Sequence, residues 1–521
     1  MKRVFHASLA AIAGAAILGA AMFSGMLSES AEAADNSTLR VGVYAKAPSR
    51  GNPYGGGGVP SIYWWDPIFD GFTRVNDKGQ TVPWLAESWE LVNATTWRFK
   101  LRQDVVFTNG EKMNADAAVA TIMWMISDVG RATPGGRESR GITGATKVDD
   151  YTLDITTEKP MPLLAGTVSR AYVVAPKAWA DMGIQGYSAN PATSGAYKVK
   201  SWNDSGAEFV AYENTWRPPK IPTLKYVELP ESAARLQALV SEQIDLAVLI
   251  APDDVPVVRD AGQTSFTFSS PNIMNMVLMT EDYKKAYGEK GSPFKDKRVR
   301  LAMNMAIDRQ AIVDNLLAGQ SKPANQPANP ATFGYNPDLP LYEYNPTKAK
   351  ALLAEAGYPN GFELIAEIIP GAIPRDVEIY SYLAESFGKI GVKVDMRQIP
   401  FADWLKKFIG GGWEGAATGF SAFVDPHMDA SRPFTNFSCY KQPNPLICID
   451  DFMPLLDAQG QEMDRSKREA MLKELMAKSH NDALSLPILL GVDIYGATKR
   501  LKNFEYWNRV ILWERMTLEG A

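Results

Sequence analysis

A single hydrophobic core stops growing near about 250–300 residues, and this chain runs to 521. Two or three domains are therefore expected. Part of the length is set aside first. Met1-Lys2-Arg3 is a short basic start, an uncharged apolar stretch follows over 7–27, and Ala31-Glu32-Ala33 fits the A-x-A pattern cut by a signal peptidase. A membrane anchor is the rival reading, because a stretch of that length just spans a bilayer. Ala and Gly dominate it, however, and the cleavage pattern follows directly. The reading is a removed signal peptide over 1–33 and a mature protein in the periplasm. No Cys lies near the cut, so no lipid anchor is expected, and no later stretch approaches a membrane span.

Charge and cysteine usage narrow the class further. The net charge is −5, from 54 Lys and Arg against 59 Asp and Glu. That balance argues against nucleic acid or an anionic membrane as partner. The two cysteines, Cys439 and Cys448, belong to an exported chain, so a disulfide closing a small loop is expected. The residues between them, including Lys441, Gln442, Pro443 and Pro445, read as loop.

Along the chain the periodicity is that of an α/β protein with mixed sheets. Thr38-Leu39-Arg40-Val41-Gly42-Val43-Tyr44 alternates as a strand, and Trp97-Arg98-Phe99-Lys100-Leu101-Arg102 has one apolar and one basic face. Asn114 is a candidate N-cap for a helix over 115–126. A helix over 233–242 followed by an apolar strand over 244–250 suggests a crossover unit. One long helix is predicted over 298–318, ending at Gly319, and a second over 346–356, ending at Gly357. Strand 362–369, helix 377–390 and strand 392–399 complete a second crossover.

Catalytic patterns are sparse. His427 and His480 are the only histidines after the leader, and neither lies near a G-x-S-x-G elbow. There is no H-E-x-x-H, C-x-x-C or Walker loop. Gly410-x-Gly412-x-x-Gly415 follows a helical run over 403–409 rather than a strand, so it is not a dinucleotide fingerprint. No enzyme and no cofactor are expected. An exported hydrolase such as a glycosidase, with a carboxylate pair not visible in sequence, is the alternative from another class. Aromatic residues beside glycines and turns stand out instead. Tyr63, Trp64, Trp65, Trp413, Phe420 and Phe423 are candidates for the wall of a small-molecule cleft, with core packing as the competing role of each.

Several ordered segments resemble one family, the family 5 extracytoplasmic solute-binding proteins. These are the peptide-, nickel- and oligosaccharide-binding components of ABC importers. Phe69-Asp70-Gly71-Phe72-Thr73-Arg74 resembles its "E-G-L-x-R" start, and Val82-Pro83-Trp84-Leu85-Ala86-Glu87-Ser88-Trp89 its "P-x-L-A-x-S-W" signature. Thr193-Ser194-Gly195-Ala196-Tyr197 stands for "G-T-G-P-Y". Phe294-Lys295-Asp296-Lys297-Arg298-Val299-Arg300 with Ala306-Ile307-Asp308-Arg309 resembles "F-x-D-x-R-V-R-x-A…A-I-D-R". The resemblance implies a class II, two-lobed periplasmic binding protein of the Venus-flytrap type. Lobe I would comprise 34–71, 185–270 and 485–521, with an additional domain inserted over 72–184, and lobe II would comprise 271–484. It also implies a monomer that closes on its ligand and delivers it to an ABC permease and ATPase in the inner membrane.

Ligand identity is less clear from the resemblance. Peptide-binding members carry "G-W-x-x-D-x-x-D-P", whose first Asp receives the peptide amine. The matching stretch here is Gly419-Phe420-Ser421-Ala422-Phe423-Val424-Asp425-Pro426, in which Ser421 or Ala422 takes the amine-binding place and Asp425 keeps the Asp-Pro pair. Dipeptide binders also place an Arg before a Pro, where this chain has the uncharged Ile369-Pro370. An oligopeptide is the expectation from the family, and an oligosaccharide or other neutral solute is the alternative. Ser421 and Asp425 join the aromatics as candidate ligand contacts. His427, with Met428 and Asp429, is a thin basis for a metal chelate, and no metal site is predicted.

Overall fold

The computed structural model describes residues 37–47, 49–56, 58–203, 206–281, 287, 291–371, 373–419, 421–440 and 444–519. The predicted leader, Phe420, and the loop residues Lys441, Gln442 and Pro443 lie outside the described residues. Among the described residues no helix is long and apolar enough to cross a membrane.

The first strand among the described residues is Thr38–Val43, whose Leu39, Val41 and Val43 are fully buried. It lies between two parallel neighbours, Thr223–Glu228 and Leu246–Ala247. The helix Ser232–Val240 crosses from one neighbour to the other, a connection that parallel pairing requires. Gly206–Ala211 and Tyr197–Trp202 extend this half of the sheet antiparallel. The other half repeats the logic: Phe362–Ile368 and Val392–Gln398 pair in parallel, joined by the helix Asp376–Lys389.

Two long strands belong to both halves. Thr264–Leu278 and Leu486–Ala497 run antiparallel through the centre of one eleven-stranded sheet. Their register breaks between Ser269 and Ile273, where Ser270, Pro271 and Asn272 face the single residue Gly491. Pro271 has no N–H to give to a ladder. Gly491 leaves room for the bulging strand, since a Cβ there would lie 2.4 Å from the Asn272 carbonyl oxygen. The pairing is thus weakest where the chain passes between the two halves.

The apolar clusters divide at the same place. One core gathers Leu39, Phe209, Leu224 and Tyr495 and continues into a four-stranded antiparallel sheet of Ala86–Asn93, Thr96–Leu101, Thr152–Thr157 and Ile142–Asp149. The helix Ala115–Met125 backs that sheet, and the Asn114 side chain caps it by accepting from the Ala117 N–H at 3.1 Å. The other half holds separate clusters, one around Leu364, Leu383 and Trp404 and one around Phe434, Leu456 and Leu475.

Local differences from the sequence reading have local causes. The helix predicted over 298–318 is two helices, Lys297–Met305 and Arg309–Leu316. Asp308 leaves the helical conformation, and its carboxylate accepts from the Ala311 N–H at 3.0 Å, capping the second one. The strand expected over 244–250 shortens to Leu246–Ala247, because Leu249 takes a positive φ of 53°. Cys439 and Cys448 form a disulfide, with Cα atoms 4.8 Å apart.

Candidate functional site

Between the two halves lies a cavity of about 890 Å³, within the range of small-molecule sites. The first half contributes Tyr44, Trp65, Glu138, Arg170 and Arg235, among others, and the second contributes Arg375, Phe423, Asp425 and Arg432. The crossing itself supplies Asn272, Val492 and Asp493. The cavity therefore exists only while the two halves are together.

Three ion pairs bridge the halves around it. Arg170 donates from Nη1 to the Asp425 carboxylate at 2.9 Å and from Nη2 to the Asn508 carbonyl at 3.3 Å. Arg432 reaches Glu138 at 2.8 Å. Arg375, held in the left-handed region at the start of its helix, pairs with Asp253. Beside the crossing, Asp493 accepts from the Tyr506 hydroxyl at 2.5 Å and from Arg509 Nε at 3.2 Å, while Arg509 Nη2 donates to Ser270 Oγ at 2.9 Å.

The ionisation states follow from these partners. Burial pushes the Asp425 carboxyl up, but Arg170, Arg509 and Arg432 together outweigh it and hold the group below the usual carboxylate range. Glu138 is lowered in the same way: burial raises it, and Arg432 and His427 more than offset that. Both acids are therefore anionic at neutral pH. Burial, then Arg432, lowers the His427 imidazole to about 4. His427 lines a second cavity, of about 460 Å³, rather than the main one. Among the described residues, the only His, Cys, Asp and Glu group close enough to hold a metal ion is Cys439, Cys448 and Asp450, and its cysteines are joined to each other.

The predicted site residues separate into two sets. Trp65, Phe423 and Asp425 line the main cavity. Phe423 is on the short strand Ala422–Phe423, which pairs with the crossing strand, and Arg432 stands over its ring with Cζ 5.3 Å from the centroid. Tyr63, Trp64, Trp413 and Ser421 are not on its wall. For Tyr63, Trp64 and Trp65 the structure corrects the expectation of a loop, while Trp413 does lie outside any helix or strand. Residues 61–65 form a buried helical turn, Ser61–Trp65. Tyr63 shares a hydrogen bond with the Tyr495 hydroxyl at 2.7 Å, and Trp64 Nε1 donates to the Ala45 carbonyl at 2.9 Å. Trp413 packs edge-on to Trp404 in the second core, ring centres 6.0 Å apart. Ser421 is buried away from the wall.

Sequence reasoning missed the arginines. Arg170, Arg235, Arg375, Arg432 and Arg509 come from segments far apart in the chain, so spacing carries no sign of their convergence. Ile369-Pro370 brings no charge of its own, yet Arg375 from the same segment reaches the wall.

The family model for bacterial extracellular solute-binding proteins, family 5 middle region, matches residues 80–441. The chain belongs to this family. Among curated relatives of this family 5 protein, heme-binding protein A of Haemophilus influenzae is 26% identical over 468 residues, covering 82% of each chain. The dipeptide-binding protein of Escherichia coli K12 is 25% identical, covering 82% of this chain and 84% of the relative. The fold matches those of HbpA2 from Haemophilus parasuis (TM-score 0.77, 22% identity, 92% and 100% coverage) and of AgaA from A. tumefacien R10 solved with agropinic acid (TM-score 0.76, 21% identity, 93% and 99% coverage). The family 5 protein is thus a two-lobed α/β binding protein, and the cavity lies where its lobes meet.

Proposed function

We propose that this protein is the periplasmic substrate-binding component of an ABC importer. It captures a small solute between its lobes and presents the closed form to a membrane permease. The observation that carries this reading is the interlobe cavity itself, walled from both halves and spanned by three ion pairs. Relatives named for heme, dipeptide and glutathione binding support a ligand of small-molecule or short-peptide size. Within this reading Trp65, Phe423 and Asp425 are wall residues of the site, residues 1–33 are the export signal, and the protein works as a monomer.

The coupling is physical. A ligand favours closure only through contacts the open form lacks, and moving closure from rare to dominant takes about 5.5 kcal/mol of differential binding. A micromolar ligand has about 8 kcal/mol in total, so the requirement is met with energy to spare. The hydrolase alternative needs two facing carboxylates free to act. The acids on this wall are instead held by arginines or by backbone amides.

The test is native mass spectrometry of the protein isolated from its own periplasm, with X-ray scattering before and after ligand removal. Retention of a discrete small molecule, with expansion on its removal, is the expected result. Turnover of the retained molecule, or no retention and no change of shape, would overturn the reading.

A further inference from the structure

The charge of the cavity wall specifies the chemistry of the ligand, on the reading that the cavity is a solute-binding cleft. Six guanidinium groups line it, from Arg137, Arg170, Arg235, Arg375, Arg432 and Arg509, against the four carboxylates of Glu138, Asp376, Asp425 and Asp493. The chain as a whole has the opposite balance, with a net charge of −5. Four of these guanidinium groups are paired, Arg170, Arg432 and Arg509 with wall acids and Arg375 with Asp253 and, at 3.1 Å, with Glu378, both off the wall, so what decides the ligand is the buried cation left without an ion pair.

Every carboxylate on the wall is already engaged. Glu138 pairs with Arg432 at 2.8 Å, Asp425 with Arg170 at 2.9 Å and Asp493 with Arg509 at 3.2 Å. Asp376 accepts from the backbone N–H groups of Gly371 and Ile373, each at 3.2 Å. Three of the four acids are thus neutralised by an arginine, and Asp376, 4% exposed, is turned to the amides of its own loop, so a ligand ammonium meets no open carboxylate, and burying that charge unpaired is strongly unfavourable.

The cations are not matched in the same way. Arg235, on the helix Ser232–Val240, is only 4% exposed. Its Nη1 donates to the carbonyls of Leu229 at 2.6 Å and Pro230 at 2.7 Å, and its Nη2 to that of Leu249 at 2.8 Å. Its Nε is enclosed without a partner, and among the described residues no carboxylate forms an ion pair with it. Carbonyl dipoles fix the guanidinium in place, and Asp254 and Glu231 act on it only through space, so among the described residues no carboxylate is bonded to it. Arg375 approaches the same end from the other lobe. Its partner Asp253 precedes Asp254, whose carboxylate accepts from Ser232 Oγ at 3.1 Å, at the start of the Arg235 helix. A buried cation is costly until an anion meets it, and in a cleft that closes on its ligand the anion that arrives is the ligand's.

We propose that this cleft selects anions: its ligand is a small organic acid that places a carboxylate at the Arg235 end and brings no free ammonium into the cavity. The proposal rests on the solute-binding reading and narrows it, since an unmodified zwitterionic peptide is then a poor ligand.

The test uses the mature protein, stripped of ligand by denaturation and refolding, and a low-molecular-weight extract of its own bacterium. One portion of the extract is left untreated, a second is acetylated to block amines, and a third is methyl-esterified to block carboxylates. Retained molecules are then weighed by native mass spectrometry. Retention that survives acetylation and falls about tenfold or more on esterification is expected, a change of at least about 1.4 kcal/mol. Retention lost on acetylation, or unaffected by esterification, would overturn the proposal and leave the solute-binding reading standing. Retention from no portion would remove both. Arg235→Gln should lose retention by a similar factor. Because Arg235 also ties three carbonyls, that variant counts only if its circular dichroism matches the parent, whereas the derivatised extracts decide the question without it.

Discussion

Replacing Arg170 with Met tests whether the interlobe ion pairs set the balance between open and closed forms. Arg170 ends the short 3-10 turn Val168–Arg170 and reaches across to Asp425 at 2.9 Å, with the two side chains 17% and 10% exposed. Exposed pairs contribute about 0–1 kcal/mol, while removing one partner of a buried pair costs about 3–5 kcal/mol. This pair is close to the buried limit, but Arg509 and Arg432 remain near Asp425 and go on neutralising it. The expected cost is therefore about 2 kcal/mol. The part owed to Asp425 falls on the closed form alone, because opening returns that pair to water, whereas the Arg170 bond to the Asn508 carbonyl is lost from both forms. At about 1.4 kcal/mol per tenfold, the closed population drops about 30-fold relative to the open one. Because the ligand-free protein is already mostly open on the proposed function, small-angle scattering reads this at half-saturating ligand, as a larger radius of gyration than the parent has at the same ligand concentration. Calorimetry with the ligand that co-purifies should show a matching loss of affinity. Since Arg170 also lines the cavity, the double variant with Asp425→Asn separates the pair from ligand contact. Its defect should be clearly smaller than the sum of the two single defects. An unchanged radius in Arg170→Met, or strictly additive defects, would refute the reasoning.

Four further outcomes follow from the same structure. Trp413→Ala should lower stability by about 3–5 kcal/mol, as for a large core aromatic, while changing ligand affinity little; denaturant unfolding beside calorimetry checks both. Gly491→Ala should destabilise the protein by about 1–3 kcal/mol, because the new Cβ meets the Asn272 carbonyl oxygen at 2.4 Å, and differential scanning calorimetry reads the loss. Removing the disulfide as Cys439→Ser with Cys448→Ser should cost about 2–3 kcal/mol by the loop-entropy account, seen as a lower melting temperature that reductant no longer affects. The His427 imidazole is lowered from 6.5 to about 4, so below pH 6.5 the unfolded chain binds a proton that the folded chain refuses. Its contribution is full above pH 6.5 and is lost as the pH falls towards 4, by at most about 3 kcal/mol. His427→Asn should flatten stability against pH in that window, and an unchanged slope would count against it.

What the sequence determined was what depends on neighbours along the chain. Alternation placed Thr38–Val43 and Thr96–Leu101, the Asn114 cap marked the start of its helix, and ordered motifs identified the family. Two cysteines in a chain read as exported pointed to the disulfide. Each of these signals is local, or is a list of local signals in order. Where two local readings competed, a local bond chose: a periodic apolar run over 298–318 fits one helix as well as two, and the Asp308 side chain, by capping the second, breaks it.

Tertiary structure alone decided the site. Tyr63, Trp64 and Trp413 are as aromatic and as close to turns as Phe423, yet they fill cores while Phe423 faces the cavity, because burial depends on what the fold lays over each ring. The register break that joins the lobes sets Pro271 opposite Gly491, residues more than two hundred positions apart. Arg170, Arg235, Arg375, Arg432 and Arg509 come from separate elements, and nothing in their spacing foretells that they share one wall. Coulomb energy depends on distance in space and on the depth of burial. A sequence with a net negative charge can therefore line one cavity with more guanidinium groups than carboxylates, and only the folded chain shows where.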